Sequence, residues 1–332
     1  MCRFPRSFGA HLPQSIQSAH QTPSRSPRPA GRLVGESEIS STRDGGQAAA
    51  DGRGDIRRVA GSWQWKRMIT VTFIRHGESE DNLKPIWAGW KDAPLSELGR
   101  KQAQALGASL STTRLTHIYA SSLLRAHATG LAVHTHQPAP QPPFTVSPHL
   151  REQHFGVAEG HSWVMHAPDG VTLEEMYTKK VYPVLYGREE KFPDGESLDD
   201  LARRAEEALR ECVLPHVKVD GEGEETHVAL ASHGLCISEL MSALIRLDPE
   251  ARKGQKYSGL LNTAWARAEI RIRDGHNGPI DPSNPPPLEV RVTHFNHKDH
   301  LNTLKEIPPT HVEVDGARAE AKAFFGGQTV QA

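Results

Sequence analysis

Three short apolar runs each pass into a helix-length amphipathic segment, and this repetition restricts the possible fold more than any other feature of the chain. The runs are ITVTFI (residues 69–74), HIYAS (117–121) and HVALAS (227–232). Their β-branched and small apolar residues suit strands buried on both faces of a sheet. Helical spacing follows at 96–109 (Leu98, Ala103, Leu106, Ala108) and at 122–134. Residues 197–217 form the clearest helix. Ser197 and Asp200 make a capping box, and Leu198, Leu201, Ala205, Ala208, Leu209 and Cys212 keep the helical period. Residues 235–247 repeat the pattern through Ile237, Leu240, Met241, Leu244 and Ile245. Residues 265–272 and 288–295 alternate like strands around a Gly/Pro-rich loop. Strand–helix alternation predicts an α/β fold, a three-layer α/β/α sandwich with a mostly parallel central sheet.

This pattern runs from Met68 to about His311. Residues 1–67 are a basic Ser/Pro/Arg/Gly-rich tail with no sustained period, and are expected to be disordered, because such a stretch buries too little apolar surface to offset ordering. The first acid, Glu36, comes after five arginines, so a mitochondrial targeting segment is a second reading. Pro5, Pro13, Pro23, Pro27 and Pro29 would interrupt its amphipathic helix, which favours a plain tail. A natural start at Met68 is a third. Residues 312–332 read as a loose C-terminal tail whose Phe324 and Phe325 could dock back. Residues 1–67 hold eleven Lys/Arg against five Asp/Glu, and the rest holds 28 against 35. A mildly acidic body gives no nucleic-acid footprint. No apolar run reaches the roughly 18 residues of a membrane span. Three scattered cysteines, Cys2, Cys212 and Cys236, argue against a disulfide framework and for the cytoplasm.

In open α/β sheets ligands bind beyond the carboxyl ends of the strands. The first predicted strand ends on Arg75, His76 and Gly77. The second runs into Ser121, Ser122 and, one helical turn later, Arg125. The third ends on His233 and Gly234, which open a helix. One rim thus receives two arginines and two histidines. Its glycines are expected to let the backbone approach a ligand, and the helix to add free N–H groups. A dianion suits this cluster, and phosphate suits it best, because arginine forks match its oxygens. A neutral imidazole kept unprotonated by cationic neighbours can attack phosphorus and form a phosphohistidine. The leaving alkoxide then needs a proton. Glu152, in HLREQHFGVAEG (149–160), follows another strand end. Carboxyls beside a dianion hold their protons, as a general acid must.

These segments resemble the histidine phosphatase superfamily, the phosphoglycerate-mutase-like family, over residues 70–301. The matching blocks are RHGES (75–79), WAGWKDAPLSELGRKQA (87–103), YASSLLRAHAT (119–129), LREQHFGVAEG, PDGES (193–197), ASHGLCI (231–237), NTA (262–264) and NHKDHL (296–301). The resemblance implies His76 as nucleophile, Arg75, Arg125 and His233 as its phosphate pocket, and Glu152 as proton donor. It also implies Asn82, Gly89 and Gly234 as substrate-binding positions, and a reaction without a metal. The substrate would be a small phosphorylated metabolite.

Three functions follow. A phosphomonoester hydrolase is favoured, because residues 160–193 lack the proline-rich lid of a mutase and FGVAEG and NHKDHL resemble the fructose-2,6-bisphosphatase-like branch. AGWKDAPLSELG resembles the mutase form, and only a mutase would need 2,3-bisphosphoglycerate. A non-catalytic phosphate or phosphoprotein binder ranks last, since the nucleophile and the acid are both kept. Trp87 and Trp90 lean toward a pocket rim. Glu196 is expected to favour the following helix through its dipole. Lys179, Lys180, Arg188 and Lys191 are candidates for a second anion. His134 and His136 form an H-x-H pair expected to lie on the surface without metal. The sequence does not fix the oligomeric state.

Overall fold

The computed structural model describes residues 68–217, 225–252, 254–273 and 280–304. The expectations for residues 1–67, for part of the 274–287 loop and for the tail beyond 304 lie outside the described residues. The elements are β1 (Ile69–Arg75), α1 (Glu97–Leu110), β2 (His117–Ser121), α2 (Leu124–Thr135), β3 (Phe144–Ser147), β4 (Trp163–Val164), α3 (Leu173–Thr178), β5 (Tyr182–Pro183), α4 (Leu198–Cys212), β6 (Thr226–Ser232), α5 (Gly234–Arg246), β7 (Trp265–Ile272) and β8 (Leu288–His297). The main sheet has the order β3-β2-β6-β1-β7-β8. Its first four strands run parallel, and β7 and β8 close it antiparallel.

The two-residue period of the strands makes the sandwich. Val71, Phe73, Val228 and Leu230 pack against α4 and α5 through Leu201, Ala205, Leu209, Ile237, Leu240 and Leu244. Ile74, Ile118 and Ala229 face the other way, onto Leu106 and Leu110 of α1 and Val133 of α2. The Ser197 capping box is present, with Ser197 Oγ accepting from Asp200 N and the Asp200 carboxylate accepting from Ser197 N. This helix ends at Cys212, earlier than its apolar spacing suggests, because Pro215 opens a separate 3₁₀ turn over Leu214–His216. In α1 the buried stripe is Gly99, Ala103, Leu106, Gly107 and Leu110, while Leu98 and Ala108 face solvent. Glycines thus form part of the contact face where leucine was expected.

Residues 161–193 form a small apolar cap. The β4–β5 pair and α3 surround Trp87, Phe155, Trp163, Tyr182 and Phe192. Trp87 is buried, and its Nε1 donates to Tyr182 O at 3.0 Å. It is therefore a core residue of the cap and not a pocket rim. Cys212 and Cys236 are free and buried, and burial pushes the Cys236 thiol up to about 11. No helix among the described residues is long and apolar enough to cross a membrane.

Candidate active site

Register brings the strand ends together. Arg75 pairs with Ser232 across β1 and β6, and Ala120 with Ala231 across β2 and β6. Residues 76, 121 and 233 therefore leave the sheet at one level. The imidazoles of His76 and His233 face each other with ring centroids 5.0 Å apart. Arg75, His76, Arg125 and His233 are all buried. Arg125, in the first turn of α2, donates through Nη2 to Gly89 O at 2.7 Å and through Nη1 to Lys91 O at 2.9 Å. Arg75 donates through Nη1 to Leu260 O.

The imidazoles are set up as neutral bases. His76 Nδ1 lies 2.6 Å from Gly77 O. A carbonyl only accepts, so Nδ1 carries the proton and the lone pair is on Nε2. Burial lowers the His76 pKa well below its ordinary value, and the charges of Arg125 and Arg75 lower it further. His233 is lowered in the same way, by burial, then Arg125, His76, Arg204 and Arg75. Its Nε2 lies 2.9 Å from Ser121 Oγ, and its buried Nδ1 has no hydrogen-bond partner among the described residues. Burial also lowers both arginines. Clustered cations of this kind are costly to bury unless an anion joins them.

Asn262 and Thr263 fix the backbone of Arg75 and His76. Thr263 N donates to Arg75 O and His76 O at 3.1 and 3.2 Å, and Asn262 Nδ2 to His76 O at 3.1 Å. Asn82 Oδ1 accepts from Ser79 N, closing a capping box, and lies 3.4 Å from Asn262 Nδ2. Gly89 has φ +48°, and a Cβ there would fall 2.1 Å from Glu159 Oε1. Only glycine fits that approach. At Gly77 a Cβ would meet the Gly99 carbonyl of α1 at 2.6 Å, so close packing against α1 also requires glycine there.

Glu152 reaches the same cavity from the chain after β3. Its carboxylate accepts from Leu235 N at 3.2 Å and Cys236 N at 3.1 Å. The first turn of α5 is thus capped by Glu152, where free N–H groups were expected. The positive end of a helix favours a carboxylate there. Arg204 of α4 secures the segment: it donates to His149 O (2.9 Å), Arg151 O (2.7 Å) and Glu152 O (2.9 Å), and holds both oxygens of Glu196. Glu196 also accepts from His154 N. It is therefore a partner of Arg204, a role the sequence reading did not assign to it, while it stands directly before the Ser197 N-cap of α4.

The model of the histidine phosphatase superfamily (branch 1) matches residues 71–275. The chain belongs to that superfamily. Among its relatives is the probable phosphoglycerate mutase GpmB of Enterobacter sp. (strain 638), 31% identical over 188 residues, 56% of this chain and 79% of that protein. The same-named protein of Photorhabdus laumondii is 32% identical over 187 residues, with the same coverage. Among solved structures, mycobacterial hydrolase 1 is 25% identical with a TM-score of 0.53, covering 69% of this chain and 99% of that one. Mycobacterial glucosyl-3-phosphoglycerate phosphatase in complex with VO3 is 25% identical with a TM-score of 0.50 and the same coverage. Relatives of this superfamily member thus bear phosphatase and mutase names alike.

Within this superfamily member, other polar candidates are accounted for locally. Arg188 holds Glu239 and Asp199, and Lys191 holds Asp200. Both basic side chains are half exposed, and Lys179 and Lys180 are exposed just after α3. His134 Nε2 meets Pro142 O and His136 Nδ1 meets Ala132 O. No group of three metal-ligating side chains occurs among the described residues. Trp90 lies against the Glu152 segment, with Nε1 donating to Glu152 O at 2.7 Å. Ser121 and Arg204 were not singled out from sequence. Ser121 had a signal in its position at a strand end, whereas Arg204 had none, since an arginine on a charged helix resembles its solvated neighbours. An apolar hollow of about 60 Å³ lies under the cap, and none of Arg75, His76, Arg125 and His233 lines it.

Proposed function

We propose that this chain is a phosphomonoester hydrolase acting through a phosphohistidine, with a small phosphorylated metabolite as substrate. One observation carries the reading: an Nδ1-protonated, neutral His76 faces His233 beside Arg75 and Arg125. His76 Nε2 attacks phosphorus as the ester P–O bond breaks, and Glu152 gives its proton to the leaving oxygen. Water then attacks the phosphohistidine, Glu152 takes the water's proton, and phosphate leaves. Arg75, Arg125 and His233 stabilise the equatorial oxygens in both steps. Asn82, Gly89 and Gly234 border the bound ester. On this reading side chains supply the positive charge, no metal or other cofactor is required, and the setting is cytoplasmic.

The names of the relatives favour a second reading, a phosphoglycerate mutase using the same phosphohistidine with 2,3-bisphosphoglycerate. Hydrolysis is preferred because residues 160–193 carry no proline-rich run of the kind a mutase closes over its site. The test is p-nitrophenyl phosphate with excess chelator, and 3-phosphoglycerate assayed for released phosphate and for its isomer. Release of phosphate from both, abolished together with acid-labile phosphate labelling by His76→Ala, is the expected result. Labelling that survives His76→Ala rules out the nucleophile. Isomer without phosphate release supports the mutase.

A further inference from the structure

Arg151, the residue before Glu152, is an arginine that no carboxylate neutralises among the described residues. Its Nε donates to Ser122 Oγ at 2.6 Å. Its guanidinium lies 4.8 Å from the centre of the Trp90 ring, a distance at which a cation is attracted to an aromatic face. Its backbone is pinned as well, with its carbonyl accepting from Arg204 and its N–H donating to Pro148 O at 3.2 Å. The side chain is half-buried. No carboxylate pairs with it among the described residues, and its terminal N–H groups meet no acceptor there. Nearby cations are different: Lys84 and Lys91 hold Asp81, and Arg204 holds Glu196. A brace spends its donors on the protein, as Arg204 does. Arg151 keeps the two-pronged end of its fork open.

Its position follows from its contacts. Ser122 is the chain neighbour of Ser121, which meets His233, and Trp90 is the neighbour of Gly89, whose carbonyl meets Arg125. Arg151 itself precedes Glu152. Its guanidinium, over Trp90 and beside Ser122, lies against the segments that carry Gly89, Ser121 and the proposed acid Glu152. We propose that Arg151 recognises a second anionic group, a carboxylate or a phosphate, on the alcohol portion of the ester. This rests on the phosphomonoester reading above. A guanidinium held by stacking and one hydrogen bond loses little freedom on meeting an oxyanion, and its planar fork fits either group.

The test is steady-state kcat/KM of the full chain on matched esters. 3-Phosphoglycerate is compared with glycerol 3-phosphate, phosphoglycolate with its amide, and glycerol 1,3-bisphosphate with glycerol 3-phosphate. p-Nitrophenyl phosphate serves as the reference. The wild type is expected to prefer the doubly anionic member of at least one pair by about tenfold or more. Arg151→Met should remove that preference, and Arg151→Lys should keep part of it. The pair that responds tells whether carboxylate or phosphate is recognised. Absence of any preference in the wild type, a result needing no variant, overturns the inference, as does an equal preference in Arg151→Met. Hydrolysis of p-nitrophenyl phosphate without preference sinks the inference alone. No turnover of any ester sinks the hydrolase reading and the inference with it.

Discussion

As the proposed nucleophile, His76 has three local facts in its favour. Gly77 O takes the Nδ1 proton, burial removes water, and the two arginines oppose a second proton. Glu152 has the complementary task. Its carboxylate sits on the α5 N-terminus in the absence of an ester, within reach of the pocket that His76 and His233 form. Glu152→Gln should slow alkyl phosphates by about 10²-fold or more, within the usual range for general acids. p-Nitrophenyl phosphate, whose leaving group needs no proton, should lose much less. Equal losses on both esters would remove Glu152 from the acid's role. The residues at strand ends were legible because topology demands that ligands meet them there. Gly77 was legible as constrained, but its packing partner, Gly99, was not, being 22 positions away in another element.

At the scale of elements, α4 joins the hydrophobic core to the catalytic segment. Its apolar stripe was visible from sequence, and Leu201, Ala205, Ala208, Leu209 and Cys212 are indeed buried. Its polar side carries the less obvious part. Arg204 ties together three carbonyls around Glu152 and pairs with Glu196 while itself mostly buried. Arg204→Met should cost about 3 kcal/mol in urea denaturation, the scale of a broken buried ion pair. It should also reproduce the leaving-group selectivity of Glu152→Gln, because the acid's backbone loses its anchor. If the variant is destabilised yet slows all esters equally, α4 supports the fold and not the acid.

For the whole molecule, several buried neutral histidines link stability to pH. His227, against Thr72 and near Arg267, is lowered by burial and then by that arginine to about 4. His300, against Thr263, is lowered mainly by burial, also to about 4. His76 and His233 are lowered too. In each case the unfolded chain takes up a proton at a higher pH than the folded one. Their contribution is therefore present above about pH 6.5 and is lost as pH falls toward 4, at about 1.4 kcal/mol per pH unit for each such histidine. Urea midpoints measured in phosphate-free buffer should fall steadily across that window. A flat profile would mean that these imidazoles are not kept neutral. Removal of residues 1–67 is expected to leave turnover of p-nitrophenyl phosphate intact, since the family match begins at residue 71. A large loss on that truncation would give the tail a part in the site.

Sequence by itself determined the sandwich, the parallel part of the sheet and the main members of the pocket. These depend on short-range periodicity and on the rule that strand ends carry ligands, both of which are written along the chain. Only the tertiary structure decided what each charge is paired with. Whether Arg188 is bound, Arg151 open, Glu152 capping α5 or Gly77 packed on α1 depends on distances between residues far apart in the polymer. No periodicity encodes these distances, because a side chain's partner is set by how the layers pack and not by its neighbours along the chain.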